Sequence, residues 1–188
     1  MADRALSDAH DNAARTLILG GVRSGKSRHA ETRALSLDVS RWCYVATARA
    51  GDAEMAARIR HHREQRDPRW QTVEAPLGLG ACLRRLDAPH TCILVDCLTL
   101  WLSNCLADEA DAGRWTAERD ALLAAVADSR ARLVFVSNEV GSGIVPLGAL
   151  SRRFADEAGR LHQALAARCD TVTLVVAGLP LTLKESDT

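Results

Sequence analysis

Apolar and polar positions along the chain alternate between two rhythms. Short apolar runs of four to eight residues recur, separated by longer stretches with helical spacing. Residues 16–19, 41–48, 70–75, 91–96, 132–136 and 171–177 are rich in Leu, Ile, Val, Trp and Tyr, and they read as strands. Helical composition follows the first run from Arg28 onward and returns over about 53–66, 76–86, 97–106, 116–129 and 150–168. Pro76 is read as opening its helix, and Pro68 as ending the segment before it. In the last helix Phe154, Ala158, Leu161 and Leu165 fall at i, i+4, i+7 and i+11, one apolar stripe. Ser137, Asn138 and Glu139 read as a polar turn opening a glycine-containing loop to Pro146, and GLPLTLKESDT as a closing tail. Buried strands alternating with helices predict a three-layer α/β fold with a mostly parallel central sheet. Residues 1–14 are polar and alanine-rich and read as a flexible extension; 15–188 then form one domain, since no internal repeat or linker divides them.

The first strand runs into the segment with the most chemical content. In LILGGVRSGKS, Gly20 is followed after four residues by Gly25, Lys26 and Ser27, the G-x-x-x-x-G-K-[ST] pattern of a phosphate-binding loop. Strand, loop and helix come in the order that this loop requires. The backbone N–H groups of Gly20, Gly21, Val22, Arg23, Ser24 and Gly25 can curl round a polyphosphate. Lys26 then reaches the β/γ oxygens and Ser27 supplies a hydroxyl to Mg²⁺. Asp96 stands where the apolar run CILV stops, as a strand-end carboxylate facing the same metal does; the alternative is a cap for the helix that follows.

His61 and His62, with Arg63 and Arg66 beside them, permit two readings. One is a solvated helix face. The other is a nucleophilic imidazole among guanidiniums, able to attack a phosphorus centre. Met55, Ile59 and His62 share one helical face, whereas His61 projects about 100° away. Glu139 sits at the expected carboxyl end of a strand, on a loop fit for substrate or interface contacts or for a plain surface turn. The four tryptophans Trp42, Trp70, Trp101 and Trp115 fit either a core or the walls of a wide cleft.

Charge and composition narrow the remaining classes. With 24 basic and 24 acidic residues the formal net charge is zero, so no global field favours nucleic acid or an anionic membrane. No apolar run approaches the length of a membrane span and no hydrophobic signal segment opens the chain, which makes a cytoplasmic enzyme the expectation. The six cysteines form no C-x-x-C pair and lie mostly in apolar runs, so they are expected as reduced core thiols.

Several segments together resemble the bifunctional adenosylcobinamide kinase/adenosylcobinamide-phosphate guanylyltransferase family: LILGGVRSGKSRHAE, WCYVATA, EMAARIRHHRE with Trp70 and Glu74, VDCLTLWLSN, SNEVGSGIVP, and the stretch from RRFADEAGRLHQ to GLPLTLK. They span nearly everything from Leu17 to Lys184. The resemblance implies a RecA-like phosphate-loop fold, a homotrimer with clefts near subunit boundaries, and two successive activities. ATP or GTP phosphorylates adenosylcobinamide; GTP then guanylylates a histidine, and GMP passes to adenosylcobinamide phosphate. By the same resemblance His62 is the nucleophile, with His61 as the alternative, and Lys26 acts at the phosphates. Thr47, Ala48, Arg49, Glu64, Gln65, Arg66, Asp67, Glu74 and Thr99 contact nucleotide, while Ser27 and Asp96 hold Mg²⁺. The chain departs from the family pattern at Val22, at Asp67–Pro68, at Ala155 and at His162, where asparagine is common.

Overall fold

Seven strands hydrogen-bond in the order β3-β2-β4-β5-β1-β6-β7: β1 (Arg15–Gly20), β2 (Arg41–Ala46), β3 (Trp70–Glu74), β4 (Thr91–Asp96), β5 (Arg132–Asn138), β6 (Thr171–Val176) and β7 (Leu179–Glu185). The structure is a computed structural model that describes residues 15–49, 66–107 and 113–185. Every neighbouring pair is parallel except β6–β7. The described helices are α1 (Lys26–Ser36), α2 (Leu79–Leu86), α3 (Leu98–Leu106), α4 (Arg114–Asp128) and α5 (Ala149–Ala166).

The period-2 alternation of the central strands sorts their side chains into two cores. Leu17, Cys43, Val45, Ile93, Val95, Leu133 and Phe135 face α2, α3, α4 and α5, where Leu79, Leu98, Trp101, Leu122 and Leu161 complete one core. Ile18, Tyr44, Leu94, Val134 and Val136 face the other way, onto Ala30 and Ala34 of α1. The small residues of α1 let it lie close to the sheet, which brings its N-terminus over the carboxyl ends of β1 and β4. The expected α5 stripe is present: Ala158, Leu161 and Leu165 are buried and Phe154 packs against them. All six cysteines are buried and unpaired. Trp101 and Trp115 belong to the core, ring centroids 5.3 Å apart, and Trp70 is buried as well.

Three local readings of the sequence are corrected. Ser137 and Asn138 lie inside β5 rather than in a turn, because they pair with Leu19 and Gly20 of β1. Pro76 does not open α2. The helix begins at Leu79, after Gly78 in the left-handed region, whose N–H is held by the Glu118 carboxylate at 2.8 Å. The closing tail is β7, antiparallel to β6. Its two-residue turn, Ala177 and Gly178, has both φ values positive (53° and 80°), the geometry of a type I′ hairpin. The dipeptide Ala-Gly lacks the Asn or Asp that normally announces such a turn. Among the described residues no helix is long and apolar enough to cross a membrane.

Candidate active site

At the carboxyl ends of β1, β2, β4 and β5 the structure opens a cleft of about 650 Å³. Residues 22–28 of the glycine-rich loop and α1 form one wall; Tyr44, Ala46, Ala48, Arg66 and Glu74 form the other, with Asp96, Cys97, Leu100 and Asn138 between. A second groove of about 450 Å³ lies away from this loop, between α3 and α5.

Close approach makes the loop what it is. A Cβ on Gly20 would lie 2.5 Å from Ser24 Oγ and 2.6 Å from the Val175 carbonyl oxygen. Gly25 has φ 92°, a left-handed conformation that turns the chain into α1. Gly178 N donates to Ser24 O (2.8 Å), so the β6–β7 turn buttresses the loop from behind. Lys26 is buried on the first turn of α1, and its Nζ donates to Gly21 O at 3.1 Å, which folds the ammonium over the loop. Ser27 follows it into the cleft.

Across the cleft, the Tyr44 hydroxyl donates to Asp96 Oδ2 at 2.8 Å. Burial, and then the adjacent Asp96 charge, push the Tyr44 phenol far above its ordinary value, so it stays a donor. The Arg66 guanidinium stacks 3.5 Å over the Tyr44 ring and donates to Thr72 Oγ1 (3.3 Å). Burial raises the Glu31 carboxyl on α1 while Arg66 pulls it down.

A hydroxyl from Ser27 and one Asp96 oxygen left by Tyr44 fit Mg²⁺, which is held by one or two protein groups together with phosphate oxygens and water. Among the described residues there is no cluster of three or more His, Cys, Asp or Glu of the kind that cages a metal by protein alone.

Beneath the cleft runs a network of polar groups. Asn138 Nδ2 donates to Thr99 Oγ1 at 2.7 Å, and Thr99 Oγ1 is 3.2 Å from Cys97 Sγ. Thr47 Oγ1 accepts from Cys97 N (2.9 Å) and donates to Cys97 O (2.7 Å). Asn104 Nδ2 ties Thr47 O to Pro76 O at 2.8 and 3.0 Å. Thr47 and Thr99 are therefore buried supports and not part of the cleft wall. Arg49 is exposed. The Asp67 carboxylate is turned to Arg69, whose N and Nε donate at 2.9 and 3.0 Å and hold it down at about 2. His61, His62, Glu64 and Gln65 lie outside the described residues.

The family profile described as "Cobinamide kinase / cobinamide phosphate guanyltransferase" matches residues 16–183. The chain belongs to that family. It is similar to the bifunctional adenosylcobalamin biosynthesis protein CobP of Pseudomonas aeruginosa, with 55% identity over 172 residues, 90% of this chain and 97% of the relative. To the bifunctional adenosylcobalamin biosynthesis protein CobU of Escherichia coli it is 43% identical over 180 residues, 89% and 98% of the two chains. Among solved structures, the ATPase EscN of the enteropathogenic E. coli type III secretion system superposes with a TM-score of 0.53 at 7% identity, over 88% of this chain and 43% of that one. Another type III secretion ATPase gives 0.53 at 9% identity, over 90% and 56%. That likeness concerns the fold alone, and the fold is the phosphate-loop, RecA-like α/β class expected from the sequence.

Against this cobinamide kinase/guanyltransferase background, two cleft residues carried no separable signal in the sequence. Tyr44 reads as one more aromatic in a strand, and Asn138 reads as a turn residue. Only the pairing of β2 with β4 and of β5 with β1 brings them to the phosphate loop.

His162 occupies a nearby polar position: Ser137 Oγ lies 2.7 Å from its Nε2. Burial lowers the imidazole below its ordinary value, partly offset by Glu139. The folded state thus favours the neutral ring. Its contribution to stability is complete above the unfolded value near 6.5 and is lost as pH falls through the lowered folded value. His162→Asn should flatten this dependence. Between pH 7.5 and 5.5 the wild-type melting midpoint should fall further than that of the variant. Parallel melting curves would show that His162 does not titrate on unfolding.

Proposed function

We propose that this protein phosphorylates adenosylcobinamide with ATP or GTP and then converts adenosylcobinamide phosphate to adenosylcobinamide-GDP with GTP, through a histidyl-GMP intermediate on His62. The observation that carries the reading is the family match over residues 16–183, laid on a phosphate loop that faces Asp96 across one cleft. Residues 15–188 act as one catalytic domain.

In the first reaction the substrate hydroxyl oxygen bonds to the γ-phosphorus, the bond to the β-bridging oxygen breaks, and the nucleoside diphosphate leaves. The hydroxyl proton passes to water. Loop N–H groups and Lys26 bind the phosphate oxygens through the transfer. In the second, the imidazole nitrogen bonds to the α-phosphorus and pyrophosphate departs. An oxygen of adenosylcobinamide phosphate then attacks the same phosphorus and the P–N bond breaks. Mg²⁺, when bound through Ser27 and Asp96, offsets polyphosphate charge. Tyr44 orients the Asp96 carboxylate, and Arg66 adds positive charge on the same wall.

The assembly we propose is a homotrimer. Ile144 and Leu147 are 97% exposed, and Leu179, Leu181 and Leu183 stand outward on the edge strand β7. Two apolar surfaces at different places on one chain suit the head-to-tail contacts of a closed ring. Sedimentation equilibrium should give three chains per particle; a fully active monomer would overturn the assembly. The function itself is tested by supplying adenosylcobinamide with ATP and Mg²⁺, then GTP, and following masses. Addition of phosphate and then of GMP is expected. A purified enzyme that yields neither product overturns the reading.

A further inference from the structure

We propose that Asn138 is a catalytic residue of the phosphorylation half-reaction, donating a hydrogen bond to the transferring γ-phosphoryl group, and that Thr99 is the positioning residue that aims it. The inference rests on the two-reaction reading above and assigns roles that differ between its two steps.

The placement comes from sheet register. β5 lies between β1, which carries the phosphate loop, and β4, which carries Asp96. Asn138 is the last residue of β5 and pairs with Gly20, the first glycine of the loop; the next residue, Glu139, donates its N–H to Gly20 O at 3.0 Å. The Asn138 backbone is therefore tied to the loop on both sides of its side chain. Its side chain lines the cleft together with Lys26 and Asp96.

Orientation comes from the side chain. Asn138 Nδ2 donates one hydrogen to Thr99 Oγ1 at 2.7 Å and lies 3.9 Å from Cys97 Sγ, and Thr99 Oγ1 is itself 3.2 Å from that sulfur. An amide nitrogen is planar and carries two hydrogens, so fixing one directs the second about 120° away. Thr99 Oγ1 and Cys97 Sγ both lie on one side of the nitrogen, so the second hydrogen is directed away from them, on a side chain that lines the cleft. Asn138 pairs with Gly20, and the Lys26 ammonium donates to the neighbouring Gly21 O at 3.1 Å, so this network sits at the ammonium end of the cleft. In a phosphate loop that end holds the β- and γ-phosphates.

A donor there meets the reacting centre only when the γ-phosphorus reacts. During that transfer the acceptor hydroxyl oxygen bonds to the γ-phosphorus, its proton leaves to water, and the bond to the β-bridging oxygen breaks. In guanylyl transfer the bonds that change are at the α-phosphorus, and the Asn138 amide touches only the departing pyrophosphate. Removing one preorganised donor from a transferring group lowers kcat by about 10²–10³.

The test pairs two assays on the full-length enzyme: phosphorylation of adenosylcobinamide by ATP, and protein labelling by α-labelled GTP. Asn138→Ala and the isosteric Asn138→Asp should each lower the phosphorylation kcat about 100-fold or more, with KM for ATP changed less than about fivefold and labelling lowered only several-fold. Thr99→Val should lower that kcat about tenfold and Thr99→Ser should restore it, because serine keeps the oxygen that holds the amide. A phosphorylation kcat within about threefold of wild type in both Asn138 variants, or equal loss of both activities, overturns the assignment. Failure of Thr99→Ser to rescue overturns the positioning role. Wild-type enzyme lacking phosphorylation would overturn the two-reaction reading and this inference together; wild type with both activities leaves the variants to decide this inference alone.

Discussion

Lys26→Ala is expected to abolish both phosphorylation and guanylylation, lowering each by about 10³-fold or more, while the chain still folds. The lysine places its positive charge against the loop, in a cleft that Arg23, Arg28 and Arg66 also line. Among the described residues its ammonium donates to Gly21 O, at 3.1 Å, and the side chain is buried. Truncation therefore removes a hydrogen bond worth about 1 kcal/mol, and the melting midpoint should fall by about 2–4 °C. Both half-reactions need the polyphosphate held, so both should fail together. Melting curves alongside the two assays make the check: near-normal phosphorylation by a folded Lys26→Ala protein would remove the phosphate-loop assignment, and outright unfolding would mean that the lysine is a core residue.

Replacing His62 should instead split the activities. His62→Ala is expected to lose labelling by α-labelled GTP and formation of adenosylcobinamide-GDP, while phosphorylation stays measurable. Lys26, Ser27 and Asp96 are untouched by the change, and the γ-phosphorus needs no imidazole. The chain leaves the cleft wall at Ala48 and returns to it at Arg66, so the histidine pair belongs to a segment flanked at both ends by cleft residues. Within that segment His62 shares its helical spacing with Met55 and Ile59, and Arg63 supplies positive charge beside it. His61→Ala should keep labelling, with at most a moderate loss. Loss of labelling in His61→Ala alone would assign the nucleophile to its neighbour. Normal labelling in both single variants would end the histidyl mechanism for this chain.

How much of this was legible in advance follows from the range of each physical signal. A phosphate loop is local: Gly20, Gly25, Lys26 and Ser27 sit within eight residues, and the strand before and helix after are consequences of composition over one turn or one pleat. Strand interiors announced themselves because β1, β4 and β5 are buried on both faces and must be apolar throughout. The α5 stripe was equally plain, since a helix packed on one side repeats every three to four residues. Asp96 was visible because a carboxylate that ends an apolar run has few ways to be satisfied.

Strand neighbours leave no such local mark. That β5 lies between β1 and β4 was decided by the packed sheet, and with it the arrival of Asn138 beside Gly20 and of Tyr44 beside Asp96. The family resemblance implies that Thr47 and Thr99 contact nucleotide; in the folded chain their hydroxyls bond beneath the cleft to Cys97 and Asn138. The hairpin of β6 and β7 was hidden for a related reason. Leu179, Leu181 and Leu183 alternate with Pro180, Thr182 and Lys184, but on this edge strand the leucines face out and mark no core. No Asn or Asp announces the turn before them. Its value is tertiary throughout. Gly178 supports Ser24 of the loop, and the Lys184 ammonium caps the end of α5 by donating to Ala166 O and Cys169 O at 2.9 and 2.6 Å. The sequence by itself determined the fold class, the phosphate loop and the family, because these rest on short-range spacing and on segments that can be matched one by one. Which side chains converge on the cleft, and which hold it up from below, depended on contacts between residues far apart in the chain, and those exist only once the sheet has formed.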